Sequence, residues 1–420
     1  MDDENKMKIA EKEYENLKLN QKIRIDNQTI GYVSDVVNNK ATGEQAYIIT
    51  DGNPKTQKIK DIKNVTVLYR GSSATIKEPM DSLTDWLDNN LDIDNQLSSV
   101  NPLPKTPTIQ MISSAKTLNK YMDKYSNAKF EVYGHSQGST NGQYALSALD
   151  SEDKISRIKG AFLYEGPNAY LMLNDRQRKT AKKLKDKIFN FVDDKDFVTI
   201  GYGNTEQLWK KVTYMPNPKH IGTLINVASK KAKDLVAQHM WGGYVLKKGV
   251  LQVRPETLAA FEKAKNKLML ANMLEELDSI SVNLKRSGGG LSTNEKIYLD
   301  SEAARIVVQK ISSDYKIATD KLISIYQKAI IEAQELWQNT LYESRSMGPL
   351  LTEWEVRDTL QMTGFTEQTI ITNPCDTYQD KLNKIMTVAS DFDRLTNEIT
   401  AKISEIVQRD RDLAHQLKGI

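Results

Sequence analysis

The chain has 420 residues, of which 39% are hydrophobic and 27% are charged. This length exceeds that of a single small module, and this composition excludes wholesale disorder and a fibrous repeat. The formal net charge is +3, from 58 basic and 55 acidic residues, so no basic surface for nucleic acid is expected. Cys375 is the one cysteine and cannot form an intrachain disulfide.

The amino terminus, Met1-Asp2-Asp3-Glu4, is acidic, and no apolar stretch or small-residue cleavage site follows it. A conventional signal peptide has a basic region followed by an apolar one, so none is expected. Export would then need another route. No apolar run approaches the roughly 18 residues of a transmembrane helix, and none is predicted.

Turn-forming residues are concentrated in the first 255 positions, which hold nine of the eleven prolines and fifteen of the 21 glycines. Dense turns followed by sparse turns are typical of an α/β domain followed by long helices. We predict an α/β domain over residues 1–250 and an all-α domain over residues 251–420.

In the first domain, a charged helix precedes short runs of β-branched and aromatic residues that predict strands. Three runs look like hairpin strands at a sheet edge: residues 22–26, 29–36 and 46–50. Four later runs are separated by helix-length connections: residues 65–69, 130–133, 161–164 and 188–192. Strands that alternate with helices predict a mostly parallel sheet.

In the second domain, apolar residues recur at spacings of three and four over residues 270–284, 311–329 and 378–406. This spacing places an apolar stripe along each helix, and each stripe must pack against another helix. The sequence therefore predicts an elongated helical hairpin or bundle. The stripes either pack inside this domain or bind helices of a partner.

The segment Gly134-His135-Ser136-Gln137-Gly138 carries the clearest chemical signal. It follows a predicted strand and precedes a helix-compatible stretch, which is the context of a nucleophile elbow. The sharp turn leaves room only for minimal side chains two positions from the serine, and both glycines meet that need. We predict that Ser136 is a nucleophile; the alternative is a tight glycine turn without chemistry.

A serine nucleophile needs a base, and in this fold the chain order is serine, acid, histidine. Of the four histidines, His135 lies inside the elbow and His415 lies outside the α/β domain. His239 is the preferred base because it comes late in the domain and glycines follow it. His220 is the alternative.

The acid is expected just after the strand that ends at residue 192, where three aspartates occur. Asp196 is the preferred acid because the apolar pair Phe197-Val198 follows it and can anchor the loop. Asp193 and Asp194 are the alternatives, or they cap the turn.

Negative charge that develops on the reacting oxygen needs two preorganised donors. The backbone N–H of Gln137 would be one, because this residue follows the nucleophile. The other is expected after the strand at 65–69, where Gly71 permits a close approach and Ser72 can add its hydroxyl. Such a mechanism requires neither a metal nor a cofactor.

Three segments together resemble the class 3 lipase family of α/β-hydrolases: the elbow, Tyr69-Arg70-Gly71-Ser72-Ser73 and Ser82-Leu83-Thr84-Asp85-Trp86. The resemblance covers about residues 20–250. It implies a triad of Ser136, Asp196 and His239, with Ser72 and Gln137 as oxyanion donors. It also implies a mobile lid over about residues 74–104. Gln137 and Ser139 depart from the family, where Leu and Gly are common, and this bears on acyl-chain preference.

The domain order is similar to that of type VII-secreted lipase toxins of Gram-positive bacteria that carry an LXG-like helical domain at the C-terminus. That resemblance implies non-classical export by a type VII secretion system, small helical partner proteins on residues 251–420, and a separate immunity protein. The expected function is a secreted lipase or phospholipase that hydrolyses acyl esters of glycerolipids at target membranes. The alternatives are a small-ester esterase or acyltransferase, and an inert hydrolase-fold scaffold whose helices bind partners.

Overall fold

The computed structural model describes residues 2–71, 106–196, 198–202, 219–288 and 290–418. The chain forms two compact units, Met1–Leu268 and Met269–Ile420. The first unit combines a sheet with helices, and the second is a long helical region. The predicted fold class, a mostly parallel α/β domain followed by an elongated all-α domain, is confirmed.

One eight-stranded sheet organises the first unit, and its strands follow each other in chain order. The strands are β1 Lys22–Ile25, β2 Gln28–Asn39, β3 Glu44–Thr50, β4 Asn64–Tyr69, β5 Lys129–His135, β6 Ile158–Tyr164, β7 Ile188–Val192 and β8 Thr223–Asn226. β1 to β4 pair antiparallel, as the hairpin prediction requires, and β4 to β8 pair parallel. The strands β9 Leu246–Lys247 and β10 Val250–Leu251 form a separate hairpin.

Helices and apolar cores cover both faces of the sheet. The helices are α1 Asp3–Glu11, α2 Ile109–Lys124, α3 Gln137–Ser147, α4 Glu152–Ser156 and α5 Asp175–Lys183. Val132 of β5 belongs to one core, with Leu118 of α2. Its neighbour Tyr133 belongs to the other core, with Ile9 of α1. Successive side chains of a strand point to opposite faces, so a sheet covered on both sides needs apolar residues in continuous runs.

The helix α6, Pro255–Gly288, begins after the boundary predicted at residue 250 but belongs partly to the α/β unit. The ring of Phe261, a residue of this helix, lies 6.1 Å from the ring of Phe189 and 5.9 Å from that of Phe191, measured between centroids. Leu268 is buried in the same core. Because these turns of α6 bury apolar surface on the sheet, the first compact unit extends to Leu268.

The second unit contains α7 Thr293–Met347, α8 Glu353–Met362 and α9 Asn373–Lys418. α7 and α9 pack antiparallel, because Tyr315 stacks on Phe392 at 3.9 Å while the later Tyr326 lies 6.0 Å from the earlier Tyr378. Among the helices that the structure describes, none is long and apolar enough to cross a membrane.

Lys6 of α1 holds its ammonium over the sheet, 4.0 Å from the centroid of the Phe162 ring. Burial lowers the pKa of Lys6 from 10.5 to about 8, although Asp3 and Glu131 act in the opposite direction. Between pH 8 and 10.5 the unfolded chain therefore binds more protons at this lysine than the native chain does. The contribution of Lys6 to the free energy of unfolding rises with pH across that window.

We expect Lys6→Met to raise the free energy of unfolding by about 1 kcal/mol at neutral pH, because it removes a partly buried charge and keeps the contact with Phe162. The gain should shrink as the pH rises from 8 towards 10.5. Urea unfolding of the native chain and of Lys6→Met across this pH range measures the gain. Lys18→Met, at an exposed lysine, is the control and should have little effect. A gain that is independent of pH would contradict this account.

Candidate active site

The carboxyl ends of β4, β5, β6 and β7 meet at one edge of the sheet. Tyr69 pairs with Gly134, His135 with Tyr164, and Tyr164 in turn with Phe191. Ligands of open parallel sheets bind outside the carboxyl ends of the strands. The residues that directly follow these four strands are Arg70, Ser136, Glu165 and Asp193.

Ser136 joins β5 to α3 with φ 55° and ψ −129°, a left-handed backbone that is uncommon for a residue with a side chain. Two glycines make room for this turn. A Cβ on Gly134 would lie 2.5 Å from the carbonyl carbon of Gly138, and a Cβ on Gly138 would lie 2.2 Å from the carbonyl oxygen of Tyr69. The structure thus places Ser136 in the strand–turn–helix junction of a nucleophile elbow.

Asp196 and His239 form a buried hydrogen-bonded pair, with 2.6 Å between Oδ2 of the aspartate and Nδ1 of the histidine. The other oxygen of Asp196, Oδ1, accepts from the backbone N–H of Val198 at 3.0 Å. Nε2 of His239 is buried and has no hydrogen-bond partner among the described residues. A carboxylate at Nδ1 orients an imidazole so that Nε2 can accept a proton.

The elbow and the loop of His239 are joined through His135. Nε2 of His135 lies 2.8 Å from the carbonyl oxygen of His239, and the two imidazole centroids are 4.6 Å apart. The residue next to Ser136 therefore contacts the residue that bonds Asp196. The three predicted triad residues lie at the same edge of the sheet.

The alternative acids bind other groups. Asp193 accepts from Nε2 of Gln238 at 2.6 Å and from the hydroxyl of Ser229 at 2.5 Å, so it anchors the loop of His239. Burial raises the pKa of Asp193. Asp194 forms an ion pair with Arg254. Neither aspartate takes the position that Asp196 has against His239.

The alternative base, His220, lies away from this edge. It precedes β8, whose pairing with β7 is parallel, so it lies at the amino end of the strands. Burial lowers the pKa of His220. Ser136 directly follows the carboxyl end of β5, so the length of the strands separates His220 from Ser136.

One of the two predicted oxyanion donors is described. Gln137 opens α3, and its backbone N–H belongs to the first turn, where a helix has no acceptors of its own. Its side-chain Nε2 donates to Oε1 of Gln110 at 2.5 Å, which places a polar pair beside Ser136. Ser72 and the predicted lid, residues 74–104, lie outside the described residues.

No protein-family model and no curated protein matches this chain. Among solved structures, the chain is similar to a mutant form of MDLA from Penicillium cyclopium, with 13% identity, a TM-score of 0.30, and coverage of 60% of this chain and 83% of that one. It is also similar to a Rhizomucor miehei lipase propeptide complex, with 14% identity, a TM-score of 0.32, and coverage of 53% and 66%. The chemistry of the site therefore rests on its own geometry.

That geometry suits nucleophilic chemistry: a hydroxyl on an elbow, and an imidazole whose free nitrogen is oriented by a carboxylate. Within the described ranges, no group of three or more His, Cys, Asp or Glu side chains is arranged to hold a metal ion.

A buried acid that the sequence did not reveal, Glu13, contacts the elbow from the turn Lys12–Tyr14. Its carboxylate accepts from the backbone N–H of Gly71 at 3.1 Å and of His135 at 3.2 Å. Burial raises the pKa of Glu13 well above 4.5. The acid lies 122 positions from His135, so no local spacing could have indicated the contact.

Glu165 is a second buried acid that was missed. Its Oε2 accepts from the backbone N–H of Asp193 at 3.0 Å, and its Oε1 accepts from the hydroxyl of Tyr244. Burial, followed by the negative charges of Asp196 and Asp193, raises the pKa of Glu165 well above 4.5. The shift favours the neutral acid. Its position directly after β6, at the edge that carries Ser136, was the signal that could have found it.

We expect Gly138→Ala to lower the free energy of unfolding by about 3 kcal/mol, because the new methyl group meets the backbone of Tyr69, which cannot move aside. Gly160→Ala in β6 is the control, since its methyl group would first meet side-chain carbons, at 3.3 to 3.4 Å. Urea unfolding compares the two. Equal losses would show that the close approach at the elbow is not the limiting contact.

Proposed function

We propose that this chain is a serine ester hydrolase of the lipase or phospholipase type, which cleaves acyl esters of membrane glycerolipids or phospholipids. The observation that carries the proposal is the buried pair of Asp196 and His239, with its free Nε2, beside the elbow of Ser136. The motifs shared with class 3 lipases support the substrate class.

In the proposed reaction, Nε2 of His239 takes the proton of Ser136 Oγ while that oxygen attacks the ester carbonyl carbon. Asp196 holds the imidazole and stabilises its charged form. The backbone N–H of Gln137 and, by the resemblance, Ser72 donate to the oxyanion. His239 then protonates the leaving alcohol. It next deprotonates a water molecule, which attacks the acyl carbonyl carbon. His239 then returns this proton to Ser136 Oγ as the bond between Oγ and the acyl carbon breaks and the fatty acid leaves.

We expect Ser136→Ala to slow fatty-acid release from phospholipid vesicles at least about 10³-fold, and Asp196→Asn to slow it by about 10³ to 10⁴-fold. A serine-directed fluorophosphonate should label the native chain and fail to label Ser136→Ala. Ser147→Ala is the control, because this serine lies at the far end of α3, where its hydroxyl donates to the Gln143 carbonyl.

The same assays separate the alternatives. Equal release by the native chain and Ser136→Ala would contradict the proposal. Labelling of Ser136 together with cleavage of short-chain esters alone would indicate a small-ester esterase. A chain that is folded and is not labelled would favour the inert scaffold.

We further propose that the helical unit binds a small helical partner through an apolar face, here called the hairpin face. Its side chains are 40% to 58% exposed. They are Val307, Ile311, Leu322, Ile325 and Leu336 of α7, and Val388, Leu395, Ile399, Ile406 and Leu413 of α9. The aromatic residues of the predicted stripes pack internally, and these aliphatic residues stay exposed.

Helical phase places the two sets on one side of the hairpin. With about 100° per residue, each set lies roughly a quarter turn from the packing seam of its own helix, in the same rotational sense. Tyr315 and Tyr326 mark the seam of α7, and Phe392 and Tyr378 mark that of α9. Because the helices are antiparallel, equal rotations bring both sets to one face, and two such adjacent stripes form a groove that suits a third helix.

The resemblance to type VII-secreted lipase toxins supplies the biological setting of this proposal. A helical partner on the hairpin face would accompany the chain to a type VII secretion system, by a non-classical route. The hydrolase would then act at the surface of target membranes, and an immunity protein would protect the producing cell.

Co-expression of the full chain with small helical proteins of the producer's type VII system tests the hairpin face. We expect a stable complex with one of them, and at least a tenfold loss of capture by Ile325→Glu and by Ile399→Glu, because each places a charge in an apolar groove. Ester hydrolysis should not change. Gln327→Glu, an exposed position on the opposite side of α7, is the control. Capture that survives both substitutions would contradict the proposal.

A further inference from the structure

His135 is fully buried beneath the candidate site, and the proposed chemistry does not use its side chain. Its Nε2 lies 2.8 Å from the carbonyl oxygen of His239, and its Nδ1 lies 2.6 Å from the hydroxyl of Tyr14. Its ring centroid is 4.0 Å from that of Trp241. Both ring nitrogens therefore have a specific partner, and the ring is packed in place.

These partners define where the proton of His135 lies. A carbonyl oxygen only accepts hydrogen bonds, so Nε2 must carry a hydrogen. Burial lowers the pKa of His135 well below 6.5, so the imidazole is neutral and has a single N–H. Nδ1 then has a lone pair and accepts from Tyr14, whose pKa burial raises well above 10. Glu13 also forms a side-chain hydrogen bond with Tyr14, and burial raises the pKa of Glu13 well above 4.5. With Glu13 in its neutral form as the donor to Tyr14, one arrangement of protons satisfies all of these groups.

The turn that supplies Tyr14 also holds the main chain of His135. The neighbouring Glu13 accepts from the N–H of His135 and from that of Gly71, which precedes the predicted donor Ser72. A Cβ built on Gly71 would lie 3.3 Å from the Cβ of Ser136. One turn near the amino terminus thus contacts the elbow, the adjoining loop and, through one imidazole, the base.

We propose that Tyr14 and His135 are positioning residues for His239: Tyr14 fixes the tautomer of His135, and the Nε2–H of His135 then fixes the main chain of His239. Neither residue touches the substrate in this scheme. The expected effect of these two residues on catalysis rests on the proposed function, whereas the expected tautomer of His135 does not. Without the bond, the buried carbonyl of His239 loses its donor, and a shift of about 1 Å in a catalytic group can cost about 10²-fold in rate.

The experiment uses the full chain labelled with ¹⁵N-histidine, whose ring nitrogen shifts report each tautomer by NMR. We expect His135 to be protonated at Nε2 and unprotonated at Nδ1 in the native chain, and a mixture of tautomers in Tyr14→Phe. The same variant should lower kcat by about 10-fold to 10²-fold with little change in KM, and slow fluorophosphonate labelling by a similar factor. Tyr47→Phe is the matched control, because it removes a tyrosine bond to the carbonyl of Glu15, in the same turn, and leaves the bond between Tyr14 and His135 in place.

A pair of His135 variants checks the donor directly. His135→Gln can keep an N–H near the ε position and should retain more activity than His135→Met, which keeps none. Equal unfolding midpoints for Tyr14→Phe and Tyr47→Phe would assign the difference in kcat to positioning. Protonation of His135 at Nδ1 in the native chain, or unchanged kcat in Tyr14→Phe, would overturn the inference. A third outcome is that His135 shows the expected tautomer but hydrolysis does not depend on Ser136. That outcome would overturn the proposed function alone and would support the link between His135 and His239.

Discussion

The left-handed backbone of Ser136 exists because three chain segments come unusually close together around it. Gly138 lies against the carbonyl of Tyr69, so α3 is pressed onto the end of β4, and Gly71 lies beside the Cβ of Ser136. Glu165 and Trp241, at the same edge, also have positive φ, at 51° and 61°. Each such residue costs about 1 to 3 kcal/mol and persists only where surrounding packing determines it. The two cores on the faces of the sheet supply that packing.

Buried carboxyl groups connect the loops at this edge. Glu13 bonds the N–H groups of Gly71 and His135, Glu165 bonds the N–H of Asp193, and Asp196 bonds the N–H of Val198. Backbone N–H dipoles replace the water that these groups lose on burial, so the acids are tolerated and the loops are tied together. Ser136, His239 and Asp196, which come from distant parts of the sequence, are thus held at one edge of the sheet.

Local signals predicted the parts of the fold and site that depend on few residues. The spacing of glycines around Ser136 and the runs of β4 to β7 are contained within short segments, so sequence alone indicated them. The apolar pair after Asp196 led the sequence analysis to prefer it over Asp193 and Asp194, but its contact with His239 depends on loop geometry that only the folded chain defines. The contact of Glu13 with His135 and the packing of Phe261 on the sheet join distant segments, and β8, with four residues, is too short for a periodic signal.

For the helical unit too, the sequence could predict the elements but not how they pack. Heptad spacing predicted the helices but could not say which side of each stripe faces inward. The structure puts aromatic rings, Tyr315 against Phe392 among them, in the seam between α7 and α9. Each helix of a two-helix hairpin buries one side, so a stripe wider than the seam must leave aliphatic residues such as Ile325 and Ile399 exposed. The hairpin face that we propose to bind a helical partner is therefore the part of each stripe that the seam does not cover.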